Sequence, residues 1–271
     1  MEAREVRGLP VLGIDIIAVL CDDGHYRYFH RASILALSGD GRSKMYKGGK
    51  AGAGVYQQII NQIPPHEVYI EPFLGGGAIL LAKRPAACSI AIDVDGDVID
   101  GWRSDGVLPG VTYIHGDAIS YLRKLRYERS TFVYFDPPYL METRKSKRKL
   151  YTYEFGDSGH HRRLLELALW LPCMVAVSGY WSSLYESSLQ GWRSISFNAK
   201  TRAGVAREWL WMNYPEPVEL HDYSYLGQNF REREKITRQK KRWRARLLRM
   251  DKLQRYALLS SIAELGDVGR S

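Results

Sequence analysis

Short apolar runs alternate with helical stretches through the middle of the chain. Residues 55–62 carry a helical pattern that Pro64-Pro65 stops. Val68-Tyr69-Ile70 predicts a strand ending at Glu71, residues 75–77 a glycine turn, and residues 78–83 the start of a helix. Residues 89–93 predict a second strand, with residues 98–102 on the next helix. A third strand at 111–115 precedes a helix at 118–126, and a fourth strand at 131–135 ends at Asp136. A helix over 160–171, a strand over 174–178 and a late strand Trp209-Leu210-Trp211-Met212 follow. From about Asn229 the pattern predicts one long basic helix carrying Leu247, Leu248, Leu253, Leu258, Leu259 and Ile262. Strands alternating with helices predict an α/β fold: a mainly parallel sheet with helices on both faces, plus the basic C-terminal helix.

The alternation organises residues 45–220 as one α/β domain, followed by a basic segment, 221–271. Residues 1–44 connect poorly to the rest. They suggest a short strand in 11–20 and a turn at Asp22-Asp23-Gly24; residues 38–54, rich in Gly and Lys, read as a loop. Recognisable sequence begins at Tyr46. That motivates reading 1–44 as an upstream extension and Met45 as the natural start, a point that mass spectrometry of the native N-terminus tests.

Charge changes the picture in two places. The formal net charge is +9, but residues 231–252 hold eleven Lys or Arg against Glu232, Glu234 and Asp251, so the remainder is close to neutral. A second basic cluster, Arg144-Lys145-Ser146-Lys147-Arg148-Lys149, lies a few residues after the motif Asp136-Pro137-Pro138-Tyr139. A basic helix is often only a solvated face, yet both clusters suit contact with nucleic-acid phosphates, with Arg242 and Arg244 flanking Trp243. Cys21, Cys88 and Cys173 are odd in number and lack metal-ligand spacing, and His160-His161 has no third ligand nearby, so no metal is expected. A reduced, cytoplasmic location fits these cysteines. The apolar run at 11–20 is interrupted by Asp15 and lacks a cleavage signal.

Glu71, Asp93, Asp117 and Asp136 each fall at or just after the carboxyl end of a predicted strand, where ligands bind in such sheets. Glu71-Pro72-Phe73-Leu74-Gly75-Gly76-Gly77-Ala78 is a strand-to-helix glycine turn. Asp93 lies about twenty residues beyond it, where a carboxylate accepts from ribose hydroxyls, and Asp117 is placed to accept from an adenine amino group. The triple glycine lacks the Gly-x-Gly-x-x-Gly spacing of nicotinamide dinucleotide sites.

Two prolines after a buried strand stiffen its end, which a merely structural turn also explains. That reading leaves the carboxylate of Asp136 and the phenol of Tyr139 unaccounted for. An exocyclic adenine nitrogen is a poor nucleophile because its lone pair is delocalised. Asp136 and the Pro137 carbonyl can accept its two N–H bonds, proline offering a carbonyl without an N–H. Tyr139 can stack on the base and hold it in line with a methyl donor.

Residues 45–265 resemble the Dam-like adenine-specific DNA methyltransferases, especially their compact phage and mobile-element members. The resemblance rests on Tyr46-Lys47-Gly48-Gly49-Lys50, the glycine turn, Asp93, Gly116-Asp117-Ala118 and Asp136-Pro137-Pro138-Tyr139, in that order. Ser178-Gly179-Tyr180, Arg202 and Glu208-Trp209-Leu210-Trp211-Met212-Asn213-Tyr214 continue it. It implies a Rossmann-like methyltransferase fold and S-adenosylmethionine as cofactor. Tyr46, Lys50, Glu71, Phe73, Gly75, Gly77, Asp93 and Asp117 would line the cofactor site, with Lys50 meeting the methionine carboxylate. Asp136, Pro137, Pro138 and Tyr139 would act on adenine flipped out of duplex DNA. Larger members carry a target-recognition domain before the catalytic motif. Here only about sixty residues separate Gly75 from Asp136, too few for a further domain. Sequence choice would then fall to Arg144, Lys145, Lys147, Arg148, Lys149, Arg242 and Arg244, or to a partner such as a cognate endonuclease or specificity subunit. RNA adenine and protein glutamine methyltransferases remain alternatives, although their motif usually opens with Asn; so does a non-catalytic nucleic-acid-binding relative.

Overall fold

A computed structural model describes residues 16–20, 26–30, 50, 54–143, 155, 157–201 and 204–267. Tyr46, Arg202 and the basic run 144–149 lie outside the described residues. The chain divides into two compact units, Met1–Asp222 and Tyr223–Ser271.

In the first unit, β1 (Ile16–Leu20) pairs antiparallel with β2 (Tyr26–His30) as a separate hairpin, Ile16 opposite His30. The main sheet has the order β5-β4-β3-β6-β7-β9-β8. Its members are β3 (Val68–Glu71), β4 (Cys88–Asp93), β5 (Val111–His115), β6 (Thr131–Phe135), β7 (Met174–Gly179), β8 (Arg193–Thr201) and β9 (Gly204–Met212). Strands β3 to β7 are mutually parallel, and β9 runs antiparallel to both β7 and β8. This is the mainly parallel, Rossmann-like sheet expected from the sequence. Every residue of β6 is buried, as a central parallel strand covered on both faces requires.

Side-chain alternation along the strands divides the core. Ile70, Ile92, Val133, Phe135, Val175, Val177 and Trp211 pack in one cluster with Leu122 of α4 (Ala118–Leu122), Leu164, Leu165 and Leu167 of α5 (Ser158–Trp170) and Tyr185 of α6 (Ser183–Ser188). The intervening residues, among them Tyr69, Glu71, Phe132, Tyr134 and Ser178, project to the opposite face. The helices that precede these three are α1 (Val55–Ile60), α2 (Ala78–Ala82) and α3 (Gly96–Ser104).

The chain runs outward from β3 through β4 to β5, then returns across β3 to lay down β6. The winding direction therefore reverses between β3 and β6, which opens a crevice at their carboxyl ends. Glu71 and Asp136 lie at this point. The β8–β9 ribbon also overruns the sheet. Gly179 at the end of β7 pairs with Trp209, while β8 and β9 stay paired as far as Thr201 and Gly204.

At the amino end of β3, the rings of His66 and His221 stack with centroids 3.7 Å apart. The His221 amide donates to the Ile63 carbonyl at 2.9 Å, its Nε2–H donates to the Arg84 carbonyl at 2.9 Å, and the Arg84 amide donates to Asp222 at 2.8 Å. Burial, reinforced by the nearby Lys83, lowers both histidines below the ordinary imidazole range, His221 to about 4.

The second unit corrects one expectation. The basic segment is two helices, α7 (Phe230–Arg249) and α8 (Lys252–Asp267), instead of one. Asn229 caps α7 by accepting from the Glu232 amide at 3.0 Å, and its own amide group donates to the Glu232 carboxylate at 2.9 Å. Met250 leaves the helix in extended backbone, and Asp251 restarts it by accepting from the Leu253 amide at 2.9 Å. Among the described residues, β2, α6, β8 and a single 3-10 turn at Met141–Thr143 also lie outside the elements expected from the sequence. Among the described residues, no helix is long and apolar enough to cross a membrane.

Candidate active site

The glycine turn after β3 is built around Trp102. Its indole N–H donates to the Gly75 carbonyl at 3.0 Å, and the Leu74 amide donates to the Ile92 carbonyl at 2.9 Å. Gly75 and Gly77 both have positive φ, 45° and 55°. A Cβ at Gly77 would lie 2.5 Å from the Trp102 ring. Gly77 is thus required by the protein's own packing as well as by the backbone conformation.

Backbone amides hold the acidic residues around this turn. Asp93 accepts from the Gly75 amide at 2.8 Å through one oxygen and from the Asp95 amide at 2.9 Å through the other. Its pKa is raised by burial, against the opposing pull of those amides. Asp117 is exposed and caps α4, accepting from the Ser120 amide at 2.8 Å. Asp93 and Asp117 stand at the ends of the neighbouring strands β4 and β5. Glu71 is turned inward: it is 3% exposed and accepts from the Tyr69 hydroxyl at 2.7 Å and the Leu80 amide at 3.1 Å. Burial pushes its carboxyl up to about 8. In this structure Glu71 fastens the turn to α2. Phe73 packs between Phe135 and Phe155, at ring-centroid distances of 6.3 Å and 5.2 Å.

Side chains hold the second cluster. Asp136 follows the last residue of β6, with its side chain 18% exposed. Lys50 Nζ donates to its Oδ1 at 2.7 Å, and the Ser178 hydroxyl reaches the same oxygen at 2.8 Å. The Tyr134 hydroxyl donates to Ser178 at 3.1 Å, so a chain of hydroxyls leads from the core to the carboxylate. Lys50 also donates to the Tyr139 hydroxyl and lies 3.7 Å from Glu208, which the β8–β9 ribbon brings above the strand ends. The Tyr139 ring meets Tyr180 edge-on, with centroids 4.5 Å apart.

Electrostatics fixes the charge of this cluster. Burial works against the Lys50 ammonium, but the Asp136 and Glu208 carboxylates outweigh it and hold its pKa above the ordinary lysine range. Burial raises the Glu208 pKa, while Lys50 opposes the shift. A buried ammonium placed between two carboxylates offsets part of the cost of holding them together there.

Lys50 was expected beside the methionine carboxylate of the cofactor. In this structure its ammonium is tied to Asp136, Tyr139 and Glu208, at the catalytic motif. Ser178 and Glu208 belong to the ordered motif set, but nothing local in sequence linked them to Asp136 or Lys50. Arg242 and Arg244 lie on α7, in the second unit. Among the described residues, no group of three or more His, Cys, Asp or Glu is placed to hold a metal ion.

No protein-family model matches the chain, and no curated protein does. Solved structures overlap it loosely. Precorrin 8W decarboxylase from Methanobacterium thermoautotrophicum is 16% identical over 62% of this chain and 94% of its own, with a TM-score of 0.40. A putative RNA methyltransferase from Pyrococcus horikoshii is 14% identical over 69% of this chain and 96% of its own, with a TM-score of 0.39. A SAM-dependent methyltransferase from Agrobacterium tumefaciens is 15% identical over 58% of each chain, with a TM-score of 0.38. Overlaps this loose assign no activity.

Proposed function

We propose that the protein is an S-adenosylmethionine-dependent methyltransferase acting on the exocyclic amino nitrogen of adenine in DNA. The observation that carries this reading is Asp136-Pro137-Pro138-Tyr139 at the carboxyl end of the central strand β6, with Asp136 held by Lys50 and Ser178. Both donors use Oδ1, and none of the described residues donates to Oδ2. Oδ2 and the Pro137 carbonyl then accept the two N–H bonds of the amine, drawing its lone pair out of conjugation. Tyr139 stacks on the base and sets the line of attack.

The cofactor supplies an electrophilic methyl group on a sulfonium. The acid series fits it: Asp93 takes the ribose hydroxyls and Asp117 the adenine amino group, beside the Gly75 turn. With the donor bound, Asp136 and the Pro137 carbonyl would hold the amine for attack on the methyl carbon, the carbon–sulfur bond breaking to leave a neutral thioether. Asp136 would pass the proton shed by the methylated nitrogen to solvent. Because a stacked base cannot reach Asp136, a duplex substrate must present its adenine flipped out.

The test offers methyl-labelled donor to the purified protein with duplex DNA, single-stranded RNA and unfolded protein in parallel. Label in DNA, recovered as N6-methyladenine, supports the proposal. Label confined to RNA or to glutamine in protein overturns the choice of substrate, and label in none overturns the enzyme.

A further inference from the structure

The cations of α7 are regularly spaced. At 3.6 residues per turn, Arg231, Lys235, Arg238, Arg242, Arg246 and Arg249 fall within an arc of about 80° and extend over about 27 Å. All six are exposed. Neither Glu232 nor Glu234 lies in the arc, although Glu234 reaches into it to pair with Arg238 at 2.6 Å. Arg246 lies 5.6 Å from the centre of the Trp243 ring.

The opposite side of the helix behaves differently. Ile236 and Leu247 are half-buried there. Arg233 donates to the Gly227 carbonyl and Lys240 to the Tyr223 carbonyl, both at 3.4 Å. These cations are turned onto the segment that precedes the helix, within the same unit. One face of α7 therefore packs at home, while the other presents a straight cationic row free of apolar residues.

We propose that this row is a docking surface for the phosphate backbone of duplex DNA. A row of fixed charges one helical turn or less apart, comparable in length to one turn of the duplex, suits a polyanion with condensed counterions. An anionic membrane fits it less well. A surface-bound helix buries an apolar stripe beside its cations, whereas the exposed apolar residues of α7, Phe230, Trp243 and Leu248, lie on two different sides of the helix and form no stripe. The row deepens the functional reading by separating DNA retention from base chemistry, and it rests on that reading only in naming DNA. It also divides Arg242 from Arg244: the first lies on the row, the second on the far side.

The test uses the full-length protein, a DNA duplex of about 30 base pairs and no methyl donor, with binding followed by fluorescence anisotropy across a salt series. One variant replaces Arg231, Lys235 and Arg242 with Gln; the other replaces Lys240, Lys241 and Arg244 with Gln. Both lose the same charge and keep good helix formers, and circular dichroism checks that both remain folded. The first variant should bind on the order of a hundredfold more weakly near 0.1 M salt, with the log–log salt slope lower by about three. The second should lose less than about threefold, because the row is intact. Equal losses in the two variants overturn the proposal, as does an unchanged first variant. So does tighter binding of the wild type to phosphatidylserine vesicles than to the duplex. The two proposals fail separately. Binding that follows the row without methyl transfer overturns the function alone; methyl transfer with an unchanged first variant overturns the row alone.

Discussion

The two halves of the crevice hold their carboxylates in different ways. Around β3, β4 and β5, backbone amides of Gly75, Asp95, Leu80 and Ser120 fix Asp93, Glu71 and Asp117, with the Tyr69 hydroxyl as a second donor to Glu71. Around β6, β7 and β9, the side chains of Lys50 and Ser178 fix Asp136, and Glu208 approaches the same ammonium. A backbone-held acid depends on the turn that presents it, so its weak point is a glycine. A side-chain-held acid depends on distant residues, so its weak point is a charge. The difference teaches where each half breaks.

The largest loss of stability is expected on the side-chain half. Lys50→Met leaves Asp136 and Glu208 facing each other without a cation and should cost about 3–5 kcal/mol in urea unfolding. Adding Glu208→Gln should recover part of that loss; no recovery would show that the ammonium does not balance the two acids.

On the backbone half, Gly77→Ala should cost about 2–3 kcal/mol, from the left-handed backbone and the collision with Trp102. Trimming the ring with Trp102→Leu should lessen the added cost of the alanine, measured as a double-mutant cycle. Strict additivity would mean that the tryptophan is not what excludes the side chain.

Ser178→Ala removes one neutral donor from Asp136. Turnover should fall about tenfold, near 1.4 kcal/mol in the barrier, with donor affinity unchanged. An unchanged rate would remove Ser178 from the site.

The last effect belongs to neither half. His66 and His221 are held neutral at the amino end of β3, so the unfolded chain binds protons there that the folded chain does not. Stability should be full above pH 6.5 and fall as the pH drops toward about 4. His221→Phe, which keeps a ring against His66, should flatten that slope in acid unfolding. An unchanged slope would place the acid sensitivity elsewhere.

The same contrast governs what was legible in sequence. Strands β3 to β7 were readable because their apolar runs are bounded by glycine, proline or acids, and their ends located Glu71, Asp93, Asp117 and Asp136. The backbone-held acids were visible because their partners lie nearby in the chain, as Asp93 lies to Asp95 and Asp117 to Ser120. The partners of Asp136 are 86 and 42 residues away, and only the pairing of β6 with β7 and the placement of Lys50 bring them together. Strand β8 carries the period-two alternation of a half-buried strand at Ile195, Phe197 and Ala199, a signal that a search for continuous apolar runs passes over. The break between α7 and α8 went unread because it uses neither glycine nor proline, only the Asp251 cap.

The central claim is a division of labour: the β3–β5 half holds the methyl donor, and Asp136 with its neighbours acts on the acceptor amine. Asp136→Ala tests it when donor binding and methyl transfer to duplex DNA are measured on the same preparation, the first by calorimetry and the second by nucleoside mass spectrometry. Donor affinity within about threefold of the wild type, with N6-methyladenine formation reduced about a thousandfold or more, is the expected result. Wild-type transfer in the variant, or loss of donor binding together with transfer, would contradict it.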